Sequence, residues 1–480
     1  MVYDFVIIGA GPSGLTLAYL LGKAGKKCII IDKNESIGGC HRVKRINGFF
    51  TEHGPRIYSS SYINTIKLLK TFNIDFNDIF TPYNFTIQNI GGNTLSNMSF
   101  REILLLFFEF VKFIFNKNHG RNISMKTFTS KHSFSKKTIE YIDRLCRLTD
   151  GAGYEKYSLF QFLNTINQQS FYKIYQPKKP NDKGLLLYLQ NAINSTNNVT
   201  TSLNTTISKL TYNNKSGTIS NVITDKGTTI YGNKFILAVS PKDIISILNN
   251  SEQIIKTSFG ELENWVNYNS YINDIPITFH WKTKLDIPKI WGFPASDWGI
   301  AFIILTDYMD FEDPNSKTVI STCITYLDKP SKFLNKTANQ IENTNILIEE
   351  VFRQIKEAYP NLPPPDNAFL SPTVFKNQGE WKDEDSAFVM TDNNKFLSPH
   401  GKIQNLYNVG TQNGKSLYNF TSFESAVTNA ISFSHKISPD TKKYLTISAP
   451  FSIRKLIYII MLFIVIIITI ITIFIILKIK

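Results

Sequence analysis

The sequence predicts an α/β protein: a parallel-sheet domain assembled from separated segments, an inserted α+β domain, and a transmembrane helix at the C-terminus. Three features predict it. Near the N-terminus a glycine-spaced turn joins an apolar strand to a helix. A second apolar strand follows and ends in an acid, Asp32. The chain closes on an unbroken apolar run.

Phe5 to Ile8 is a continuous apolar run, the pattern of a central parallel strand. Gly9, Gly11 and Gly14 follow with Gly-x-Gly-x-x-Gly spacing. Leu15, Ala18, Tyr19 and Leu21 then recur at helical spacing, and Cys28 to Ile31 forms the next strand. This strand–turn–helix–strand order predicts a Rossmann-like dinucleotide site. Gly9 makes the tight turn. Gly11 lets the backbone approach a diphosphate. Gly14 lets the helix pack on the strand. Pro12 and Ser13 sit in the same turn, where the helix N-terminus offers N–H groups and a positive dipole end to phosphates. Asp32, with Lys33 beside it, ends the second strand, where an acid accepts hydrogen bonds from ribose hydroxyls.

A second glycine pair, Gly38 and Gly39, precedes Arg42. The glycines let this loop pass close to a cofactor, and a guanidinium puts a permanent forked donor on a diphosphate. Glycine fingerprint, acid, then Gly-Gly-x-x-Arg resembles the FAD-binding region of the glutathione-reductase-like flavoproteins. The relevant branch includes flavin amine oxidases, protoporphyrinogen oxidase, carotenoid desaturases and UDP-galactopyranose mutase. The resemblance implies FAD as cofactor. It also implies that residues 225–241 are the family's return strand, and that Ile207 lies beside the adenine. Residues 405–411 resemble its last strand, so Gly410 and Thr411 would reach the ribityl phosphate and flavin, followed by a helix from about Ser422.

The Rossmann-like FAD-binding domain is therefore expected to be discontinuous, built from residues 1–70, 185–248 and 396–438. Residues 71–184 and 249–395 would form the α+β substrate or cap domain, 439–455 a linker and 456–477 the transmembrane helix. Residues 101–115 are expected to be a buried core helix, with a membrane-facing or tunnel-lining helix as the alternative.

The resemblance also implies that residues 50–58 cross the flavin face. Gly54 would touch the ring, and His53, Arg56 and Tyr58 would meet substrate. Lys282 and Lys284 are candidates for the lysine that amine oxidases place near the flavin, and Trp381 and Tyr418 for aromatic walls. Gly-Pro-x-Ile-aromatic at residues 54–58 also resembles the mutase, but Arg56 and Ser59 stand where the mutase has histidines. An FAD-dependent oxidoreductase taking a hydride from a C–N or C–C substrate is the expectation. A mutase-like flavoenzyme acting on a nucleotide sugar and a non-catalytic FAD-binding membrane protein are the alternatives.

The formal net charge of +14 is scattered rather than blocked, and no zinc-finger spacing or basic helical stripe accompanies it. Nucleic acid is thus not expected as a partner; a small molecule is, a lipid-soluble one being suggested by the tail. Four cysteines without a Cys-x-x-Cys pair argue against a disulfide scaffold and a structural zinc site. No signal peptide is read at the N-terminus. Leu456 to Leu477 carries no charge, and as helix it spans about 33 Å, enough for a bilayer core. Arg454 and Lys455 flank one end, Lys478 and Lys480 the other. A tail anchor with a cytosolic catalytic domain is expected.

Overall fold

The computed structural model describes residues 1–84, 98–150, 153–268, 270–271, 274–290, 292–293, 296–311, 313–385, 388–389, 396–414 and 422–479. Tyr418 lies outside them.

Val199–Ser202, Cys28–Ile31, Val2–Ile8, Thr229–Leu237 and Leu406–Asn408 lie side by side in that order, all parallel. Alternation explains why every residue of Phe5–Ile8 and of Cys28–Ile31 is apolar. Phe5 and Ile7 join a core with the helices Pro12–Lys23, Leu185–Asn194 and Phe423–Ile437. Val6 and Ile8 join a second core on the opposite face, with Ile244 and Leu248 of the helix Pro241–Asn249. A sheet covered on both faces has no solvent side to fill with polar residues. The first half of Thr229–Leu237 also receives an antiparallel meander, Ile207–Asn213 and Thr218–Thr224.

A second, antiparallel sheet is ordered Gly292–Phe293, Ile300–Ile304, Thr318–Ile324, Ile275–Trp281 and Asn367–Leu370. Ile300, Phe302 and Ile304 face the helix Thr344–Ala358. Ala301 and Ile303 face a helical cluster that includes Phe113, Phe128, Tyr157 and Phe160. His280 fastens this sheet to the strand Phe49–Thr51: one ring nitrogen lies 3.0 Å from the Phe50 carbonyl oxygen, the other 3.0 Å from Ser316 Oγ. Burial pushes its pKa down to about 4, so the ring bridges these groups as the neutral form.

The helix Phe100–Phe115 departs from the expected buried helix. Its buried positions include Glu102 and Glu109, while Phe100, Leu104, Phe107, Phe108 and Phe115 are exposed. Glu102 is held inside by local chemistry. Its carboxylate accepts from Ser99 N (2.7 Å), Ser135 N (2.6 Å) and Thr138 Oγ1 (2.9 Å), capping two helices at once.

The chain ends in the helix Ile453–Ile479, of which Ile453–Leu477 is long and apolar enough to cross a membrane and is not buried against the rest of the protein. The segment before it is pinned. Ser448 N donates to Asn64 Oδ1 (2.8 Å) and Arg454 N to Asn167 Oδ1 (2.9 Å).

Glu424 joins both ends of the first domain. It is 1% exposed and accepts from Asn64 N, Asn64 Nδ2, Thr65 N and Thr65 Oγ1 at 2.8–3.0 Å. These donors open the helix Ile63–Lys70, so a carboxylate from one helix caps another. Glu424→Ala would strand several buried donors at once. A loss of about 3–5 kcal/mol in a denaturant melt is expected; a variant within 1 kcal/mol of the parent (about fivefold in the unfolding equilibrium) would show that water replaces the carboxylate.

Candidate functional site

The first strand turns into the first helix at Gly9, whose φ is +110°. A Cβ there would lie 2.5 Å from the Ala238 carbonyl oxygen, so a side chain cannot enter. A Cβ on Gly14 would lie 2.0 Å from the Gly9 carbonyl oxygen, which is why helix and strand can close together. Gly11 is different. Nothing lies nearer to a Cβ there than Gly39 Cα, at 3.9 Å. A Cβ on Gly39 would in turn lie 3.1 Å from Gly11 Cα. The bare backbones at Gly11 and Gly39 thus lie against each other at the start of the helix Pro12–Lys23. No side chain caps that helix end, and Pro12 opens it. Ser13 Oγ turns aside to the Ala426 carbonyl oxygen, 3.2 Å away, leaving the backbone N–H groups as the donors at this helix end.

Asp32 stands at the end of the second strand. Its carboxylate accepts from Ala10 N at 2.7 Å and from Asn34 N and Nδ2 at 2.8 Å. A carboxylate has about four acceptor sites, so it retains capacity for a further donor. Lys33 points away and pairs with Asp243 at 3.5 Å on the surface. Ile207 is buried at the start of its strand, just beyond Thr205, whose N–H donates to the Asp32 carbonyl oxygen at 2.9 Å. Gly410 follows the strand Leu406–Asn408; its N–H donates to Asn413 Oδ1 at 2.9 Å, and Thr411 begins the turn between them.

Arg42 is almost fully buried, and its guanidinium donates to the Gly39 carbonyl oxygen at 2.9 Å and meets Asp385 at 3.0 Å. The glycine loop is thereby tied to the segment that follows the strand Glu380–Asp383. The sequence places this charge on a diphosphate; in the protein alone it meets the Asp385 carboxylate.

Beyond Arg42 lies a polar cavity lined by His41, Glu52, Arg56, Tyr58 and Tyr308, with room for about one water molecule at roughly 10 Å³. Arg56 Nη1 lies 3.2 Å from His41 Nδ1, and Arg56 also donates to the Cys40 carbonyl oxygen. Burial, with the charges of Arg56 and His53, holds the His41 pKa far down, so His41 is neutral. Burial raises Tyr58 to about 12 and raises Glu52, whose Oε1 has no hydrogen-bond partner.

His53 and Arg56 point to different groups. His53 Nδ1 meets Asp383 Oδ2 at 2.8 Å. Burial alone would raise Asp383, but the hydrogen bond and charge of His53 hold it low. Asp274 precedes the strand Ile275–Trp281, with the Cys323 thiol near its carboxyl group. Burial pushes Asp274 up to about 7 against the pull of His53. Gly54, at φ +138°, would place a Cβ 3.7 Å from Cys323 Sγ, so the backbone after His53 runs against the same pair. Lys282 is not brought to this group. It is exposed at the far end of that strand, about 26 Å from Asp274 at 3.3 Å per residue. Lys284 is exposed and donates to the Thr306 carbonyl oxygen at 3.1 Å. Trp381 is buried in the cap core and donates to the Ala338 carbonyl oxygen at 3.0 Å. Sequence reasoning missed Asp274, Asp383 and Asp385. The one signal was the acidic run at 383–385, which reads as solvated surface until the fold folds it inward.

A family model described as an NAD(P)-binding Rossmann-like domain matches residues 7–72. The chain is 32% identical over 75 residues to an L-amino-acid oxidase of Sistrurus catenatus edwardsii, a match covering 16% of this chain and 14% of that protein. Among solved structures, it superposes on an oxidoreductase from Methanosarcina mazei with a TM-score of 0.66 and 15% identity, over 89% of this chain and 99% of that one. On putrescine oxidase the TM-score is 0.65 at 13% identity, over 91% and 99%. The sequence match is thus confined to a small fraction of the curated relative, whereas the likeness in fold runs through most of the chain. The chain has a Rossmann-like domain within a flavin-oxidase-type fold.

Proposed function

We propose that this chain, which has the fold of the flavin-dependent oxidases, is an FAD-dependent oxidoreductase held at a membrane by its C-terminal helix. The observation that carries the cofactor is the surface free of side chains where the Gly11 turn meets the Gly39 loop. It is formed by backbone alone, lies at an uncapped helix end, and has an acid at the neighbouring strand end. NAD-dependent dehydrogenases do without a second glycine loop. The Gly38–Gly39 pair therefore favours FAD over the NAD(P) for which the matching family model is titled.

Gly9, Gly11, Pro12, Ser13, Gly14 and Gly39 would hold the diphosphate, Asp32 the ribose hydroxyls, Ile207 the adenine, and Gly410 and Thr411 the ribityl end. Arg42 would act from behind the loop, its charge shared with Asp385. When bound, FAD supplies the hydride-accepting chemistry. The protein's part is to hold substrate and manage its proton. His53 is the residue suited to that. Its Nδ1 faces Asp383, which orients the ring and leaves Nε2 to take a proton from a substrate with a C–N or C–C bond to oxidise. Arg56 is committed to Cys40 and His41, and serves as a positioning group for the loop.

The test uses the full-length chain in detergent. It should purify with flavin absorption, and an amine or an apolar lipid should bleach that absorption under anaerobic conditions. A flavin that stays oxidised with both classes, while a UDP-sugar turns over once it is pre-reduced, would replace the oxidoreductase by a mutase. A colourless protein with a cooperative melt would remove the proposal altogether.

A further inference from the structure

The helix Phe100–Phe115 buries Phe113 and Ile114 in the core on one side and leaves a second apolar face outside the protein. Positions 100, 104, 107, 108 and 115 form one stripe at helical spacing, and all are exposed: Phe100 75%, Leu104 37%, Phe107 56%, Phe108 56% and Phe115 65%. The carboxylates Glu102 and Glu109 are on the buried side instead. Water gives no reason for such an arrangement. A contiguous stripe of four phenylalanines and a leucine marks a surface meant for an apolar neighbour.

The structure also says what lies beside it. Tyr458 donates its hydroxyl to the Ile114 carbonyl oxygen at 2.8 Å, and Arg454 donates to the Phe113 carbonyl oxygen with its guanidinium 4.1 Å from the Phe113 ring centre. Tyr458 lies in the first turn of the uncharged run that begins at Leu456. Whatever touches that turn sits where a bilayer would begin. Ser448, Phe451 and Arg454 are each bonded to the globular domains, so the span does not swing freely relative to this helix. Phe171 adds to the patch, 46% exposed and 5.2 Å from the Phe451 ring. Arg101, Lys112, Lys117 and Lys455 are exposed around it, the basic rim that suits anionic headgroups.

We infer that Phe100–Phe115 is a second membrane contact: an interfacial helix about 24 Å long. It lies in the headgroup–acyl boundary beside the C-terminal span and fixes how the catalytic domains sit on the bilayer. This rests on the reading of that span as a membrane anchor. The occupant is lipid rather than a second copy, because the patch is continuous with the base of a helix that is itself unburied over its apolar length.

The experiment reconstitutes the full chain into vesicles of phosphatidylcholine with a minority of phosphatidylserine, with and without brominated acyl chains. Phe107→Trp and Phe108→Trp provide the reporters. Phe375→Trp, at an exposed position of the cap strand Val374–Asn377, is the control. Burial about 5–10 Å into the boundary predicts a blue shift and loss of roughly half the added emission at 107 and 108, with none at 375. Vesicle-bound protein with no quenching at 107 and 108 overturns the inference while leaving the anchor standing. Protein that does not float with vesicles at all removes the anchor reading, and this inference with it. Quenching-free protein in which Phe107→Cys forms a disulfide between chains shows that a second copy covers the stripe.

Discussion

Gly11→Val is expected to yield a folded, colourless protein, and Gly14→Ala to yield no folded protein at all. The two glycines belong to one fingerprint, yet the space around them differs. At Gly11 the backbone has φ −76° and ψ 176°, which any residue adopts. A Cβ there stays 3.9 Å from its nearest neighbour, so valine is accommodated in the protein alone. Its branches would occupy the space in front of the helix, where a diphosphate must approach the backbone. Bound flavin should fall at least tenfold, a loss of about 1.4 kcal/mol or more in affinity, with little change in melting temperature once both are compared without cofactor. At Gly14 a Cβ would stand 2.0 Å from a backbone oxygen of the central sheet, which cannot move without opening the strand–helix unit. Absence of soluble full-length Gly14→Ala, or a melt lowered by several kcal/mol, is expected. Full flavin content in Gly11→Val would mean that this turn is not where the diphosphate lies. A stable Gly14→Ala would mean that the helix has room to tilt.

The contrast also shows which parts of the fold were legible in the chain. The turn from Ile8 to Gly14 needs bare backbone at fixed positions, against Ala238 at Gly9 and against Gly9 at Gly14, so its glycines announce it. The run Cys28–Ile31 and the end of the return strand, Phe235–Leu237, are legible because a sheet buried on both faces leaves only apolar residues to read. The helix Phe100–Phe115, expected to be buried, is buried on one side only. Apolar content alone does not say whether its partner is protein or something outside it. Only the placement of Glu102 and Glu109 on the inner side decides that, through caps supplied by Ser135 and Thr138 and a contact from His119.

The site was legible only in part. Gly54 and His53 lie on a segment whose sequence carries a family pattern, but their partners come from far along the chain. Asp383 is 330 residues from His53, and Asp385 is 343 residues from Arg42. Lys282 looked suitable by rough position in a strand-like run. The strand exists, yet its polarity sets Asp274 at one end and Lys282 at the other, so the acid and not the lysine reaches the histidine's neighbourhood. A pairing of this kind follows from sheet register, which no local pattern encodes.

His53→Ala should retain flavin but lose about 10²–10⁴-fold in the rate at which substrate bleaches it, the range general-base removal usually produces. Nothing in the glycine turn depends on this ring, so cofactor content serves as the internal control. Asp383→Asn should cost less, since His53 would stay in place but lose the negative charge that orients and supports its protonated form. Asp274 sets the pH dependence. Its folded pKa, near 7, lies above the ordinary carboxyl value, so the protonated acid is the form the fold prefers. The stability linked to it is present at low pH and declines from about pH 4 to pH 7 as the proton is lost. Over the upper part of that window a new negative charge appears beside Cys323 and within reach of His53, which favours the proton-accepting role of the ring. The bleaching rate should therefore rise with pH through about 7, and Asp274→Asn should flatten that limb without removing flavin. If His53→Ala bleaches at the parental rate, the proton leaves by another route. Glu52, buried with an unpartnered oxygen on the same segment, would then be the residue to change next.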